Sequence, residues 1–523
     1  MAIKSSAPDG RQPPAWRDVE PALFPQSVLE AHNAVVLNPA TAIRLPGQGR
    51  LRPTVYVADS LVIPVEVLHS DTLSNVIRTA AAEIGVELPE LRREDLDPEQ
   101  DRSRYDARTV RLVPGRLPDG TLPSRGPDAW TLLQRVRAAA PGQALDLFAG
   151  VGLDHLLVGC PHLEGHPITG MPHLEGHPYG IDEYAFAGSG GRAPVSWVGE
   201  EPDYDDGFSG RRPVVAVLDT GIGKHRWFTS GVRAGLEFKG VQAALTDPAT
   251  DPELTGDLVG PMDGALDSHS GHGTFIAGLV RQICPQADIL AIRIMGSDGI
   301  VHESDLVRAL GVISRTVDAA GGDRPVIDIV SLSLGYYHED AGSIALDSVL
   351  MKQAKALGTH GVAILACAGN DGTAREMFPA AFYPHVDGSV TDFDRSCVPV
   401  LSVGALNPDG SIALFSNGGD WVAAWEVGAA VVSTFPQTFN GGAQPSMRVR
   451  TPYGPPRASL DPDSFVDGFG TWSGTSFATP ILAARLARRL LASDLEEKVS
   501  SDGPVGRMWD AVEAELGLER PSA

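Results

Sequence analysis

The sequence predicts an α/β protein in which a doubly wound parallel β-sheet, with helices on both faces, follows a smaller α+β N-terminal domain. From Arg211 onward, short apolar runs alternate with longer amphipathic segments. The runs are apolar on both faces, which is typical of central strands of a parallel sheet covered by helices. We place these strands at residues 213–218, 287–295, 327–334, 362–366 and 399–403, and helices at 304–316, 343–357 and 479–491.

The N-terminal part predicts a separate, smaller unit. Runs rich in β-branched residues predict strands at 54–58, 65–68, 109–113 and 153–158. Apolar residues at helical spacing predict helices at 72–84, with Asp71 as the N-cap, and at 128–139. We therefore expect a poorly ordered segment at 1–50 and a small α+β domain at 51–158.

The remaining boundaries follow from composition. Residues 159–210 are rich in Gly, Pro and His, which predicts a linker, and they contain PHLEGHP twice, at 161–167 and 172–178. Two copies are too few for a solenoid. The main domain is expected at 211–492, followed by a partly helical tail at 493–523.

Composition excludes several classes of protein. A hydrophobic fraction of 43% argues against intrinsic disorder, and a net charge of -24 argues against nucleic acid or an anionic membrane as a partner. The charge fits either plain solubility or a preference for basic substrates. No stretch approaches 18 consecutive apolar residues, and no apolar segment follows the N-terminal Lys4, so we expect a cytoplasmic protein without a membrane span.

The chain has four cysteines, and none forms a C-x-x-C pair. So few cysteines in 523 residues do not indicate a disulfide framework, so we expect free, mostly buried thiols. They are Cys160, Cys284, Cys367 and Cys397.

Three polar residues stand where catalytic groups would be useful, although each has a commoner structural explanation. Asp219 closes the run VAVLD, at the strand end where open α/β sheets bind ligands. His272 lies between two glycines before an apolar helix, with His269 as a rival nearby. Ser476 precedes a long apolar helix, where a serine is usually a cap but where free backbone N–H groups also stabilise an oxyanion.

Together these blocks resemble the subtilisin-like serine protease family. DTG at 219–221, HGTFIAG at 272–278 and GTSFATP at 474–480 match the family's blocks in the same Asp, His, Ser order. A fourth block, ACAGN at 366–370, is similar to the family's oxyanion segment. The resemblance covers roughly residues 211–492, implies the subtilisin-like sheet, and favours His272 over His269.

The resemblance implies a serine endopeptidase that works through an acyl-enzyme intermediate. Ser476 would be the nucleophile, His272 the general base and acid, and Asp219 the residue that orients the imidazole. Asn370 and the Ser476 N–H would hold the oxyanion.

Substrate residues are also implied by the resemblance. A substrate strand would pair with one segment on each side, and the wall of the pocket for the residue before the cut would include Cys367, either a core residue or a thiol sensitive to oxidation. The substrate-binding residues are then Ser333, Leu334, Gly335, Gly299, Ala368 and Gly369. The family often binds calcium, but no loop matches a family site, so no cofactor and no metal ligand is assigned.

The role of the N-terminal domain stays open at this point. It is placed like a family prodomain, which implies intramolecular inhibition, while a fixed accessory domain is the alternative. The substrate is expected to be a polypeptide. Two other functions remain: a latent chain that binds peptides without cutting, and a processing protease with a dedicated protein partner.

Five histidines cluster at and before the repeat. They would bind a transition metal, or they belong to a flexible, cleavable linker. They are His155, His162, His166, His173 and His177.

Overall fold

The computed structural model describes residues 24–89, 98–139, 148, 150–160, 192–321, 325–340, 349–384, 394–495 and 503–520. The PHLEGHP repeat and residues 343–348 of a predicted helix lie outside these ranges. Within them, no helix combines the length and the apolarity needed to cross a lipid bilayer.

The N-terminal domain is an antiparallel sheet backed by two helices. Its elements are α1 (Gln26–Ala31), β1 (Ala34–Val36), β2 (Val55–Pro64), α2 (Val65–Leu68), α3 (Asp71–Glu83), β3 (Val86–Glu87), α4 (Pro98–Arg104), β4 (Ala107–Arg111), β5 (Val113–Pro114), α5 (Ala129–Ala139) and β6 (Gly152–Gly159). Strand β2 pairs with β1, β4 and β6. Helices α3 and α5 bury Ile77, Trp130 and Leu133 in the core of this domain. Residues 26–36 of the segment expected to be poorly ordered thus contribute a helix and a paired strand.

Two local predictions in this domain are wrong. The predicted strand at 65–68 is the helical turn α2, because β2 runs without a break to Pro64 and the turn then buries Val65, Val67 and Leu68. Burial against a sheet has overridden β-branched composition. The N-cap of α3 is Ser70 and not Asp71, since Ser70 Oγ accepts a hydrogen bond from the Leu73 N–H at 3.4 Å.

The main domain is the predicted α/β unit. Its strands are β7 (Ala193–Pro194), β8 (Val214–Asp219), β9 (Val232–Ala234), β10 (Glu237–Phe238), β11 (Val241–Gln242), β12 (Asp288–Arg293), β13 (Ile300–His302), β14 (Ile329–Leu332), β15 (Leu334–Gly335), β16 (Ala363–Cys367), β17 (Val400–Leu406), β18 (Ala424–Val427), β19 (Val431–Thr434), β20 (Arg448–Val449), β21 (Arg457–Ala458) and β22 (Phe469–Trp472). Its helices are α6 (His272–Ile283), α7 (Glu303–Ala320), α8 (Val349–Thr359), α9 (Thr475–Leu495) and α10 (Gly503–Leu516).

Seven of these strands form one parallel sheet in the order β18-β17-β16-β14-β8-β12-β9. The chain passes from β8 to β12 on one side and then returns to β14 on the other. The direction of winding therefore reverses around β8, and open α/β sheets bind ligands at such a point, beyond the carboxyl ends of the strands. The predicted fold class is confirmed.

Side chains of β8 show how the sheet separates two cores. Val215 and Val217 face α6 and α9, whereas Ala216 and Leu218 belong to the core that contains α7 and α8. Both faces are apolar because both are covered, which is why the strand read as one continuous apolar run.

The N-terminal domain packs on helices α7 and α8 through buried and half-buried polar contacts. Asp154 of β6 accepts hydrogen bonds from the Ser304 N–H at 2.9 Å and from Ser304 Oγ at 3.0 Å, so it caps the first turn of α7. Asp106 pairs with Arg315 at 2.7 Å and accepts a hydrogen bond from Gln353 Nε2 at 2.7 Å. These contacts fix the orientation of β6 on the main domain.

The C-terminal helix α10 belongs to the main core, where Met508 and Trp509 are buried. Arg507 of this helix donates to Asp328 at 2.9 Å and to Asp494 at 2.7 Å. Asp328 is fully buried, and its carboxylate accepts hydrogen bonds both from Arg507 and, at 2.9 Å each, from the two Nη atoms of Arg211.

We predict that Arg507→Met destabilises the protein by about 3 kcal/mol, because it removes a donor from the buried Asp328 carboxylate. Urea denaturation in a Ser476→Ala background measures the change. Arg488→Met, at an exposed position of α9, is the control and should leave the unfolding midpoint in place. Equal midpoints for the two variants would contradict a structural role for α10.

Candidate active site

Asp219 and His272 form a buried pair at the carboxyl end of the central sheet. Asp219 is the last residue of β8 and His272 the first of α6, so regular structure fixes both. His272 Nδ1 lies 2.7 Å from Asp219 Oδ1, and the two side chains are 0% and 1% exposed. Gly271 adopts a φ of +87° just before the helix, and a Cβ there would lie 2.8 Å from Phe435. Asp219 can hold Nδ1 protonated, which leaves Nε2 as the basic nitrogen.

Glu253 closes a ring of hydrogen bonds behind this pair. Its Oε1 accepts from Thr220 Oγ1 at 2.5 Å and from the Gly273 N–H at 3.1 Å, and its Oε2 accepts from Thr274 Oγ1 at 2.6 Å. Thr220 follows the paired aspartate, and Gly273 and Thr274 begin the helix that carries the imidazole. Burial raises the pKa of Glu253 to about 7, against the lowering effect of its hydroxyl partners.

Ser476 is the second residue of α9 and is fully buried. Its Oγ donates to Ser333 O at 3.2 Å, and its carbonyl accepts from Ser333 Oγ at 2.8 Å. His272 lies close by, since its ring centroid is 5.4 Å from that of Phe477, the residue after the serine. His272 Nε2 has no hydrogen-bond partner within the described ranges. The serine–histidine hydrogen bond is therefore not made in this state, and such bonds often tighten only around a substrate.

The backbone carbonyl of Cys160 is held at the N-terminus of α9. The Ser476 N–H donates to Cys160 O at 3.2 Å, and Asn370 Nδ2 donates to the same oxygen. Asn370 Oδ1 accepts from the N–H of Thr475 at 3.0 Å and from its hydroxyl at 2.9 Å, which fixes the amide. Two N–H donors that converge on one oxygen at a helix N-terminus are suited to stabilise an oxyanion.

The end of the N-terminal domain lies between two short strands of the main domain. Strand β6 pairs antiparallel with β13 on one side and with β15 on the other. The Gly159 N–H donates to Gly299 O at 2.9 Å, and the Cys160 N–H donates to Ser333 O at 3.0 Å. The residues that bind this backbone include the predicted substrate residues Ser333, Leu334, Gly335 and Gly299. Pairing along both edges is how sheets bind an extended peptide.

The side chain of Cys160 fills a buried pocket whose wall includes Cys367. Burial, together with contact with the Cys367 thiol, raises the pKa of the Cys160 thiol well above its usual value. Ala368 continues this wall, and its carbonyl accepts from Asn417 Nδ2 at 2.8 Å. Gly369 adopts a φ of +101°, and a Cβ there would overlap the Asn417 side chain. The pocket is therefore small and rigid.

His269, the rival histidine, lies beside the residue that precedes Cys160. Its Nδ1 lies 2.9 Å from Ser268 Oγ. A Cβ built on Gly159 would lie 2.7 Å from Cδ2 and 2.8 Å from Nε2 of His269, and a Cβ on Gly299 would overlap the same ring. Because the fully buried imidazole fills the space between these two glycines, a residue with a side chain does not fit at position 159 without movement.

Three features of this site were missed from the sequence. Glu253 lies in a polar loop that matches no motif, and Asn417 follows a short apolar run without any sign of its contacts. One indication of the position of Cys160 came from the sequence, because the predicted strand at 153–158 ends just before it. All three make their contacts with residues far away in the sequence, which periodicity does not report.

Comparison with known proteins places this site in a family. Residues 210–495 match the family model described as "Subtilase family". The chain is 25% identical over 251 residues to Subtilisin BL of Lederbergia lenta, covering 46% of this chain and 73% of the relative. It is 26% identical over 228 residues to an intracellular serine protease of Paenibacillus polymyxa, covering 42% and 53%. A solved structure of a cold-adapted subtilisin-like serine proteinase aligns with 60% of this chain and 86% of its own, at 20% identity and a TM-score of 0.35.

We predict that Glu253→Gln flattens the pH dependence of stability. The pKa of Glu253 is raised on folding from 4.5 to about 7, so the folded state holds a proton that the unfolded state has lost. Wild-type stability should therefore fall as pH rises from about 4.5 to about 7, by about 3 kcal/mol in total from this group. Urea denaturation of Ser476→Ala chains at several pH values measures it.

The control for this prediction is Glu237→Gln, which removes an exposed carboxylate on β10. It should keep the wild-type slope between about pH 4.5 and about pH 7. An unchanged slope in Glu253→Gln would mean that the buried carboxylate is not protonated on folding.

Proposed function

The chain belongs to the subtilase family, a family of serine endopeptidases, and we propose that it is such an endopeptidase, kept latent by its own N-terminal domain. The observation that carries the proposal is the Cys160 carbonyl oxygen, which accepts hydrogen bonds from the Ser476 N–H and from Asn370 Nδ2. A substrate carbonyl about to be attacked would occupy this position.

The geometry of the site supports the following catalytic roles. Ser476 Oγ attacks the substrate carbonyl carbon, and His272 Nε2 takes its proton and later gives it to the leaving amine. Asp219 keeps Nδ1 protonated and stabilises the imidazolium. The Ser476 N–H and Asn370 Nδ2 hold the oxyanion of the tetrahedral intermediate, which then collapses to an acyl-enzyme that water hydrolyses.

Latency is supported by the path of β6. This strand pairs with β13 and β15, which are the two edges a substrate strand would use, and the carbonyl of Cys160, directly after it, accepts the Ser476 N–H. Contacts at Asp106 and Asp154 hold the rest of the domain on helix α7. Activation then requires that β6 leaves the cleft and that Ser476 Oγ turns from Ser333 O toward His272.

The substrate is a polypeptide bound in an extended conformation. The Gly159 position is limited by the His269 ring, and the Cys160 side chain fills a small pocket beside Cys367. We therefore propose a preference for glycine followed by a small residue just before the cut. The four free, buried cysteines support action in a reducing compartment such as the cytoplasm.

A peptide-binding protein without activity is the second candidate. The observation in its favour is that Ser476 Oγ donates to Ser333 O while His272 Nε2 has no partner in the part of the chain that is described. A fluorophosphonate probe distinguishes the two functions, because it reacts only with a serine that a neighbouring base activates.

We predict that Gly159→Leu speeds up fluorophosphonate labelling of Ser476 by about 10- to 100-fold. The new side chain collides with His269, and overpacking of this kind costs about 1–3 kcal/mol, which shifts β6 out of the cleft. Intact-mass spectrometry of the full-length chain over time measures the labelling rate. Ser476→Ala must remain unlabelled.

The matched control is Val158→Ile, one residue earlier on the same strand, where the side chain is only half-buried. It should label at the wild-type rate. If Gly159→Leu labels no faster than this control, β6 does not block the site; if no variant labels at all, the chain is not an active serine hydrolase.

We predict that Asn370→Ala, made in the Gly159→Leu background, lowers kcat for peptide hydrolysis by about 100- to 1000-fold, because one oxyanion donor is lost. Asn370→Asp keeps an acceptor for the Thr475 donors but places an oxygen near the oxyanion, so it should lose at least as much. Asn440→Ala, at an exposed position, should retain kcat. Activity retained in both Asn370 variants would exclude this residue from the oxyanion site.

A further inference from the structure

A buried cluster of histidines and carboxylates lies where the two domains meet, apart from the catalytic residues. His155 comes from β6 of the N-terminal domain, while His338 and Glu339 follow β15 of the main domain. The three residues are 3%, 5% and 2% exposed. Charged groups this deeply buried need a compensating partner of opposite charge.

The ligand atoms of these three residues converge. Glu339 Oε2 lies 3.0 Å from His155 Nε2 and 3.7 Å from His338 Nε2, and one ligand atom from each residue lies within 4.8 Å of the others. Tetrahedral Zn²⁺, with bonds of about 2.0–2.2 Å, holds its ligand atoms about 3.3–3.5 Å apart. The two distances to Glu339 bracket that value, so small movements bring the three atoms onto one ion.

The Nδ1 atom of each histidine lies near an oxygen that would accept its N–H when Nε2 binds a metal ion. His155 Nδ1 lies 2.6 Å from Glu303 Oε2, and His338 Nδ1 lies 2.9 Å from Asp340 O. Metal binding requires the neutral imidazoles in which each Nδ1 donates to these oxygens and each Nε2 is unprotonated. Binding therefore displaces protons, and the Asp340 N–H, which donates to His338 Nδ1 at 3.1 Å, must give up that hydrogen bond. Metal-bound histidines almost always donate their second N–H to a carboxylate or a backbone carbonyl in this way.

We propose that His155, His338 and Glu339 form a divalent metal site, fitted to Zn²⁺, that bridges the N-terminal domain and the protease domain. Glu303 acts as the outer partner of His155. Two imidazoles and one carboxylate are a known zinc donor set.

The surroundings limit what the site can hold. The cavity is lined by the cluster together with Arg137, Gly152, Leu153 and Tyr336, and about 10 Å³ of it is open to a water-sized sphere. That is room for one ion or one water molecule and not for an organic ligand. Nitrogen ligands disfavour Ca²⁺ and Mg²⁺, which prefer oxygen, so the donor set selects a transition metal.

The site couples metal binding to docking of the N-terminal domain. His155 lies on β6, the strand that leads into Cys160. The three ligands are therefore together only while that strand is in the cleft. A ligand that binds one state shifts the equilibrium toward that state. Zn²⁺ would therefore hold the latent state, and a chelator would weaken it.

The test uses the full-length Ser476→Ala chain, stripped of metal, with the four repeat histidines His162, His166, His173 and His177 replaced by Asn. Equilibrium dialysis against Zn²⁺ should give about one ion per chain. His338→Asn should lower the affinity by more than the roughly 10- to 100-fold expected for the outer partner in Glu303→Gln. Excess Ca²⁺ should not compete.

The matched control is His360→Asn, which removes a histidine near Asp318 on the surface and should leave the affinity unchanged. Co²⁺ binding adds a second measurement, because a tetrahedral site gives intense visible absorption that His338→Asn should abolish. Thermal melts without metal show whether each variant is folded.

Two results would overturn the proposal. One is zinc stoichiometry well below one per chain in the variant without repeat histidines, which would leave a plain hydrogen-bonded ion cluster. The other is equal zinc affinity for folded His338→Asn and His360→Asn chains. Both are measured without catalysis, so they are independent of the proposed endopeptidase activity.

Discussion

The two hydrogen bonds to the Cys160 carbonyl oxygen fix the register in which β6 pairs with β13 and β15. They come from the Ser476 N–H at the start of α9 and from the Asn370 side chain, which Thr475 holds in place. With that oxygen fixed, Gly159 must lie against His269 and β6 must pair with β13 and β15. The N-terminal sheet and the protease domain are therefore joined as one hydrogen-bonded sheet, order β1-β2-β6-β13, and not simply packed together. A shift of one residue along β6 would turn every side chain of the strand to the opposite face.

Buried and half-buried polar groups at the contact between the domains have hydrogen-bonding partners. Asp154 caps α7, Asp106 binds Arg315 and Gln353, and His155 lies between Glu303 and Glu339. Burial alone would lower the pKa of His155, but the two carboxylates raise it to about 10. Such groups are costly to bury alone and acceptable when paired, so they favour one docking geometry over others more than they add stability. These paired groups explain how β6 is held in one position between β13 and β15.

The fold and the residues that meet in the candidate site were largely predictable, for different physical reasons. Strands covered on both faces leave continuous apolar runs, as in 213–218, and these located the central sheet. Asp219, His272 and Ser476 were located by their motifs. The residues alone did not suffice, because each also fits a helix cap or a turn. The role of Glu253 was not predictable, because hydrogen bonds that tie together two distant turns leave no periodic signal. The strand predicted at Val65–Leu68 was wrong for another reason. Packing against the end of β2 outweighed the β-branched composition, and the segment forms a helical turn.

Burial of the thiols has a practical consequence. Cys160 and Cys367 lie side by side in the same pocket and are 3% and 0% exposed, so in the docked state neither can be reached by an alkylating reagent. In the proposed open state, Cys160 would be carried into solvent and the wall of the pocket would be opened at Cys367. Isotope-coded alkylation, quantified at each cysteine, would then measure the fraction of open molecules in a population without a substrate. Cys284, buried in the core beneath α6, would remain unmodified and serve as the internal reference for intact folding.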